Sequence, residues 1–285
     1  MNTPLLEIDR LTVGFAEPRR VLVDEVSLSV DAGSATALVG ESGSGKTLSM
    51  LAVMGLLPPG ISVLGGAARL GGVDLLSLPP RARRRMNGSR VALIPQDAMA
   101  ALNPTLDIQS QFELVLRAHQ RIGGSAARAR TIELLDQVGI PSAASRLRSY
   151  PHEFSGGQRQ RVMIALALSC GPELLIADEP TTALDVTIQQ QILDLVARLR
   201  EEIDMTVLWI THDLGVVAGL ADRVAVLRHG RMVESGTAEQ IFYRPAQPYT
   251  RQLLAATPTL FDPDPELDPG PGPAPGDPVE AGTEA

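Results

Sequence analysis

The eight residues from Gly40 to Thr47, GESGSGKT, constrain this chain more than any other stretch. They match Gly-x-x-x-x-Gly-Lys-[Ser/Thr], the phosphate-binding loop. Gly40, Gly43 and Gly45 allow the backbone to curl until several N–H groups point inward at an anion. Glu41, Ser42 and Ser44 complete the loop. Lys46 has the reach for β- and γ-phosphates, and Thr47 offers a hydroxyl to Mg²⁺. The flanks agree with this reading. Ala35 to Val39 reads as a buried strand and Leu48 to Leu57 as a helix. A phosphate would then sit on the helix N-terminus, where unpaired N–H groups and the dipole favour negative charge.

Around this loop the pattern is mixed. Leu5 to Val13 and Val21 to Val30 alternate roughly and read as two strands of an antiparallel layer, with Phe15 at the turn after the first and residues 60–78 adding to the layer. Arg81, Arg83, Arg84 and Arg85 read as a solvated helix face. Val91 to Pro95 is a short strand leading to Gln96. From about Ile108 to Leu168 the period turns helical: Ile108, Phe112, Val115 and Leu116 recur at that spacing, as do Ile132, Leu134, Leu135 and Val138 before a stop at Gly139. Strand and helix then alternate: Leu174 to Ala177, Val186 to Ile203, Thr206 to Ile210, Val224 to Leu227 and Met232-Val233. Alternation of this kind predicts a parallel sheet covered on both faces.

Composition sets limits. Seven of the 33 acids lie in residues 261–285, where there is no base, which leaves 26 acids against 25 bases elsewhere. The folded part is close to neutral and has no nucleic-acid footprint. Residues 258–285 hold eight prolines and few apolar side chains, so disorder is expected there. A single cysteine, Cys170, excludes an intrachain disulfide and a cysteine-only metal cluster. No segment has the charge-free apolar length of a membrane span, and the N-terminus has acids where a signal peptide needs bases. A cytoplasmic location is expected.

Two further strings carry chemistry. Asp178 ends the apolar strand LLIA and Glu179 follows it. A carboxylate at a strand end beside a phosphate loop can hold Mg²⁺, and the next one can orient or deprotonate the attacking water. Standing alone, the pair would read as solvated acids. Ser155, Gly156, Gly157 and Gln158 open a helix expected over Arg159 to Ser169, a second start able to present N–H donors to an anion. The plain alternative is a turn and a cap.

With these strings in order, the chain resembles the nucleotide-binding subunit of ATP-binding cassette (ABC) transporters. The series runs Phe15, GESGSGKT, Gln96, FSGGQ, LLIADEP, Ala183-Leu184-Asp185 and His212, over about residues 5 to 257. The ATPases of dipeptide, oligopeptide and nickel importers are similar in three more strings: Leu102-Asn103-Pro104, ADEPTTALDVTIQ from Ala177 to Gln189, and PYTRQLLAATP from Pro248 to Pro258. Phe154 replaces the commoner Leu of the signature, Gln247 stands where His is usual, and no cysteine follows Cys170 to form the iron–sulfur cluster of some members.

The resemblance implies an α/β fold: a P-loop NTPase, RecA-like core with an N-terminal antiparallel β layer and an inserted α-helical subdomain. The core would comprise 1–98 and 171–245, the helical signature subdomain 99–170, and the subfamily extension 246–257, followed by the tail 258–285. It implies ATP and Mg²⁺ as ligands. Two subunits would pack head to tail, with Ser155 to Gln158 of one facing Gly40 to Thr47 of the other. By the same resemblance Glu179 activates water, His212 and Lys46 contact the γ-phosphate, Gln96 joins the site of metal and water, Asp178 and Thr47 hold the metal, Phe15 stacks on adenine and Asp185 couples the two sites. Implied partners are two transmembrane permease subunits, a solute-binding protein and a second cassette ATPase, with a heterodimer expected over a homodimer, at the cytoplasmic face of the cell membrane. Import of di- or oligopeptides is the expected function; nickel or another small solute is the alternative. A soluble cassette acting on nucleic acid would need basic surface, and a non-hydrolysing regulatory subunit would lack Glu179 or His212.

Overall fold

The computed structural model describes residues 4–97, 101–181 and 184–256. Ala183 and the tail from 258 lie outside the described residues.

Four strands form an antiparallel sheet: β1 (Pro4–Phe15), β2 (Arg20–Asp31), β4 (Ile61–Leu70) and β5 (Val73–Asp74), in the order β2-β1-β4-β5. Six form a second sheet: β3 (Ala35–Val39), β6 (Val91–Ile94), β7 (Leu174–Asp178), β8 (Thr206–Thr211), β9 (Arg223–Arg228) and β10 (Arg231–Thr237), in the order β10-β9-β3-β8-β7-β6. Its neighbours from β9 to β6 pair in parallel, and β10 adds an antiparallel edge.

The two cores explain why the central strands read as unbroken apolar runs. On one face of the second sheet, Ala37, Val39, Ala177, Val207 and Trp209 pack under helices. On the other, Leu38, Ile176, Leu208 and Ile210 pack with the antiparallel sheet and the helix after the phosphate loop. Side chains alternate between faces, and both faces are dry, so no polar alternation survives.

Helices among the described residues include α1 (Lys46–Met54), α2 (Pro80–Met86), α3 (Ile108–Gln120), α4 (Gly124–Gln137), α5 (Ala143–Arg146), α6 (Gly156–Leu168), α7 (Val186–Ile203), α8 (Leu214–Val217), α9 (Ala238–Tyr243) and α10 (Pro248–Ala255). In α3 the predicted positions Ile108, Phe112 and Leu116 are fully buried, while Val115 is half-buried. Gly139 takes a left-handed φ of 76° after α4, as the stop signal predicts.

Three expectations are corrected. The helix expected over Leu48–Leu57 spans Lys46–Met54, because Gly55 enters the left-handed region at φ 68° and Leu56 N turns back to Leu51 O at 2.8 Å. The helix expected from Arg159 begins at Gly156, because Ser155 caps it. The arginine cluster is not uniformly solvated: Arg83 is half-buried, and its guanidinium donates to Leu76 O and Leu78 O. Among the described residues no helix is long and apolar enough to cross a membrane.

Candidate nucleotide site

The strand order builds the site. β3, β8, β7 and β6 are neighbours and parallel, so their carboxyl ends emerge along one edge. The phosphate loop follows β3, His212 follows β8, Asp178 and Glu179 lie at the end of β7, and Gln96 follows β6. Ligands of open α/β sheets bind beyond the carboxyl ends of the strands.

A cleft of about 320 Å³ opens there, lined by Leu22, residues 42–48, Gln96 and Glu179. Lys46 is 5% exposed and donates from Nζ to Gly40 O at 2.7 Å and Glu41 O at 3.0 Å. Burial lowers its pKa, against the opposing charges of Glu179 and Asp178. Thr47 Oγ1 donates to Asp178 Oδ1 at 3.0 Å. Burial raises the pKa of Asp178; the Thr47 bond opposes this, the Glu179 charge adds to it, and Lys46 opposes it weakly.

Glu179 is held from both sides. Gln96 Nε2 donates to its Oε2 at 3.0 Å, and His212 Nδ1 lies 3.0 Å from its Oε1. Its backbone takes φ 45°, and its N–H donates to Ile210 O at 2.8 Å. A left-handed glutamate is uncommon and costs free energy that the surrounding contacts must offset. The carboxylate also borders a second cavity of about 220 Å³, which His212 lines.

The residues fit a phosphate chain. Gly40 has its flank against the Leu227 carbonyl, where an added Cβ would come within 2.1 Å. Ser44 Oγ is buried with no hydrogen-bond partner. Gly45 caps α1 at φ 103° without a side-chain hydrogen bond, which leaves first-turn N–H groups for an anion. They fit Mg²⁺ as well, since a hydroxyl and a carboxylate, both hard oxygen donors, stand together at Thr47 and Asp178.

Other expected site residues lie elsewhere on the chain. Phe15 ends β1 beside Gly60 and does not line the cleft. Ser155 and Gln158 cap their own helix: Gln158 N donates to Ser155 Oγ at 3.3 Å, and Ser155 N to Gln158 Oε1 at 3.1 Å. Gly157 has a packing reason too, since an added Cβ would meet Ile188 Cγ2 at 2.7 Å. Asp185 is exposed and caps α7 through Ile188 N at 3.0 Å. Phe154 keeps a buried apolar anchor, 3% exposed, under the Arg146 guanidinium. Leu22 lines the cleft with no signal in the sequence that marks it.

The chain is similar to known proteins in sequence and in fold. Residues 23–182 match the family model described as ABC transporter. The chain is 51% identical over 258 residues to the peptidoglycan transport ATP-binding protein YejF of Agrobacterium fabrum, covering 90% of this chain and 47% of that one. It is 48% identical over 262 residues to the oligopeptide transport ATP-binding protein OppD of Bacillus subtilis, covering 90% of this chain and 73% of that one. A dimeric, post-hydrolysis ATP-binding cassette bound to ADP and Pi aligns with a TM-score of 0.72 at 26% identity, covering 82% of this chain and 98% of that one.

Proposed function

This chain belongs to the ABC transporter family, and on that premise we propose that it is the ATP-hydrolysing subunit of a binding-protein-dependent importer of peptides. The observation that carries the reading is the convergence of Lys46, Thr47, Asp178, Glu179, Gln96 and His212 on one sheet edge. The cargo follows from the relatives, whose names specify peptidoglycan and oligopeptide; both solutes contain peptide. Neither of these two names specifies nickel.

In the mechanism, the loop N–H groups and Lys46 receive the β- and γ-phosphates of ATP. Thr47 and Asp178 would hold Mg²⁺, which would supply positive charge to the phosphate oxygens. Glu179, fixed by Gln96 and His212, accepts a proton from the attacking water. Glu179 itself lines the cleft. His212 steadies the γ-phosphate. Ser155, Gly156, Gly157 and Gln158 serve the ATP of a second cassette. Phe15 stacks on the adenine of the ATP held by this chain's own phosphate loop, and Asp185 couples the two sites across the contact. The second cassette is a different chain, which makes a heterodimer.

Residues 1–98 and 171–245 act as the ATP-binding core, 99–170 as the segment that receives the permease, and 246–257 as an added C-terminal element. Two permease subunits and a solute-binding protein complete the assembly at the cytoplasmic face of the membrane.

The test is Glu179→Gln in the native host. It should lower kcat by about 10²- to 10⁴-fold while ATP binding persists. With Mg-ATP it should trap the chain with two permeases, a second cassette ATPase and a solute-binding protein. Recovery of soluble partners alone, of ribosomes or of DNA would sink the importer reading.

A further inference from the structure

The phosphate loop carries three glycines with positive φ, Gly40, Gly43 and Gly45, and is costly to order. Contacts from outside hold it. Gly230 N, in the turn between β9 and β10, donates to Ser44 O at 2.8 Å. The Leu227 carbonyl backs Gly40. A third contact comes from more than 200 residues away in sequence: Glu41 N donates to Tyr249 Oη at 3.4 Å. Tyr249 is on α10 and 5% exposed, with the Arg228 guanidinium 4.4 Å from its ring centre.

Helix α10 is itself latched. The Glu234 carboxylate on β10 accepts from Ala246 N at 2.7 Å, from Gln247 N at 3.1 Å and from Thr250 Oγ1. Gln247 is the N-cap of α10, and Thr250 is fully buried. An acid at a helix N-terminus pairs the open N–H groups and suits the dipole. One carboxylate therefore sets where the helix starts and which way Tyr249 faces.

We infer that Tyr249 is a positioning residue for the phosphate-binding loop, and that Glu234 is the latch that keeps it there. Helix α10 thereby takes part in nucleotide binding. Tyr249 is not among the residues that line the cleft. It fixes the Glu41 peptide, so the loop meets ATP already ordered and the ordering entropy is spent in folding rather than in binding. The inference rests on the ATP-binding part of the proposed function and not on the cargo.

Tyr249→Phe keeps the ring and its contact with Arg228 and removes only the oxygen. At 3.4 Å the bond is long, so the effect belongs at the low end for one hydrogen bond. We expect Kd for the β,γ-imido analogue of Mg-ATP, and KM for ATP, to rise about 3-fold, with kcat and the nucleotide-free melting temperature unchanged. Glu234→Gln should raise Kd at least as much. The double variant should be no weaker than Glu234→Gln alone, because both act through one contact.

A Kd within about 1.5-fold of the parent for Tyr249→Phe would overturn the inference, as would a lower melting temperature at unchanged Kd. If Tyr249→Phe fails to fold, Glu234→Gln carries the same test. Additive weakening in the double variant would overturn the latch. A parent chain that binds the imido analogue but powers no peptide import fails the importer reading alone, and an unaffected Tyr249→Phe fails this inference alone.

Discussion

Replacing Asp178 by asparagine should make the nucleotide-free protein more stable while removing its Mg²⁺-dependent activity. Asp178 is 6% exposed, and its pKa is raised. Burial is the largest cause, the Glu179 charge adds to it, and the Thr47 bond and the Lys46 charge do not offset the two. The ordinary aspartate value is about 3.9. A carboxyl whose folded pKa lies above its unfolded one contributes stability that is full below the unfolded pKa and lost as pH rises through the folded pKa. At pH 7.5 the Asp178 charge therefore weighs against the fold. Asparagine keeps an oxygen for Thr47 Oγ1, now 3.0 Å from Asp178 Oδ1, and carries no charge. Removing such a built-in cost at a functional site is worth about 1 kcal/mol, or about 3 °C in Tm for a chain of this size. The assay is thermal unfolding of parent and variant without nucleotide, from pH 8 down through the carboxylate range, then with Mg-ATP at pH 8. The variant should melt higher at pH 8, the gap should narrow once the pH falls through the raised folded pKa of Asp178, and the Mg-ATP-dependent rise should be much smaller in the variant. A variant that melts lower at pH 8, or a gap that widens on acidification, would refute the reasoning.

Two more expectations follow from packing. Gly40→Ala should destabilise by about 1–3 kcal/mol and weaken ATP binding, because its Cβ would stand 2.1 Å from the Leu227 carbonyl oxygen and 2.9 Å from Ser44 Oγ; urea unfolding and an ATP titration check this, and parent-like values in both would contradict it. Thr36→Val should stabilise by about 1 kcal/mol, because Thr36 Oγ1 is buried in β3 with no hydrogen-bond partner; a lower urea midpoint would count against it.

Much of the fold was legible because its signals are local. The apolar runs of β3, β7 and β8 announce strands with two dry faces, and α7 spans the expected Val186–Ile203 because its apolar period and its Asp185 cap lie in one continuous stretch. Errors fell at the ends of elements. The start of α6 hung on whether Ser155 and Gln158 capped each other, and the end of α1 on Gly55 entering the left-handed region. Arg81, Arg84 and Arg85 are exposed as the sequence predicts, while the half-burial of Arg83 is not legible there because only the fold brings the Leu76 and Leu78 carbonyls to its guanidinium.

The sequence by itself determined that this chain binds phosphate, since Gly40 to Thr47 carries its glycines, lysine and hydroxyl within eight residues. Family membership was legible for the same reason: each motif is a short, ordered string. Only the tertiary structure decided that Glu179 is clamped between Gln96 and His212, which lie 83 and 33 residues away. That depends on β6, β7 and β8 being neighbours, a matter of sheet order that no local pattern encodes. Likewise, only the fold brings Tyr249 to the loop at Glu41, because Glu234 on β10 accepts from the backbone at the start of α10. Chain stiffness and hydrophobic period act over a few residues, whereas a site at the end of a parallel sheet is assembled from segments whose register is set across the whole core.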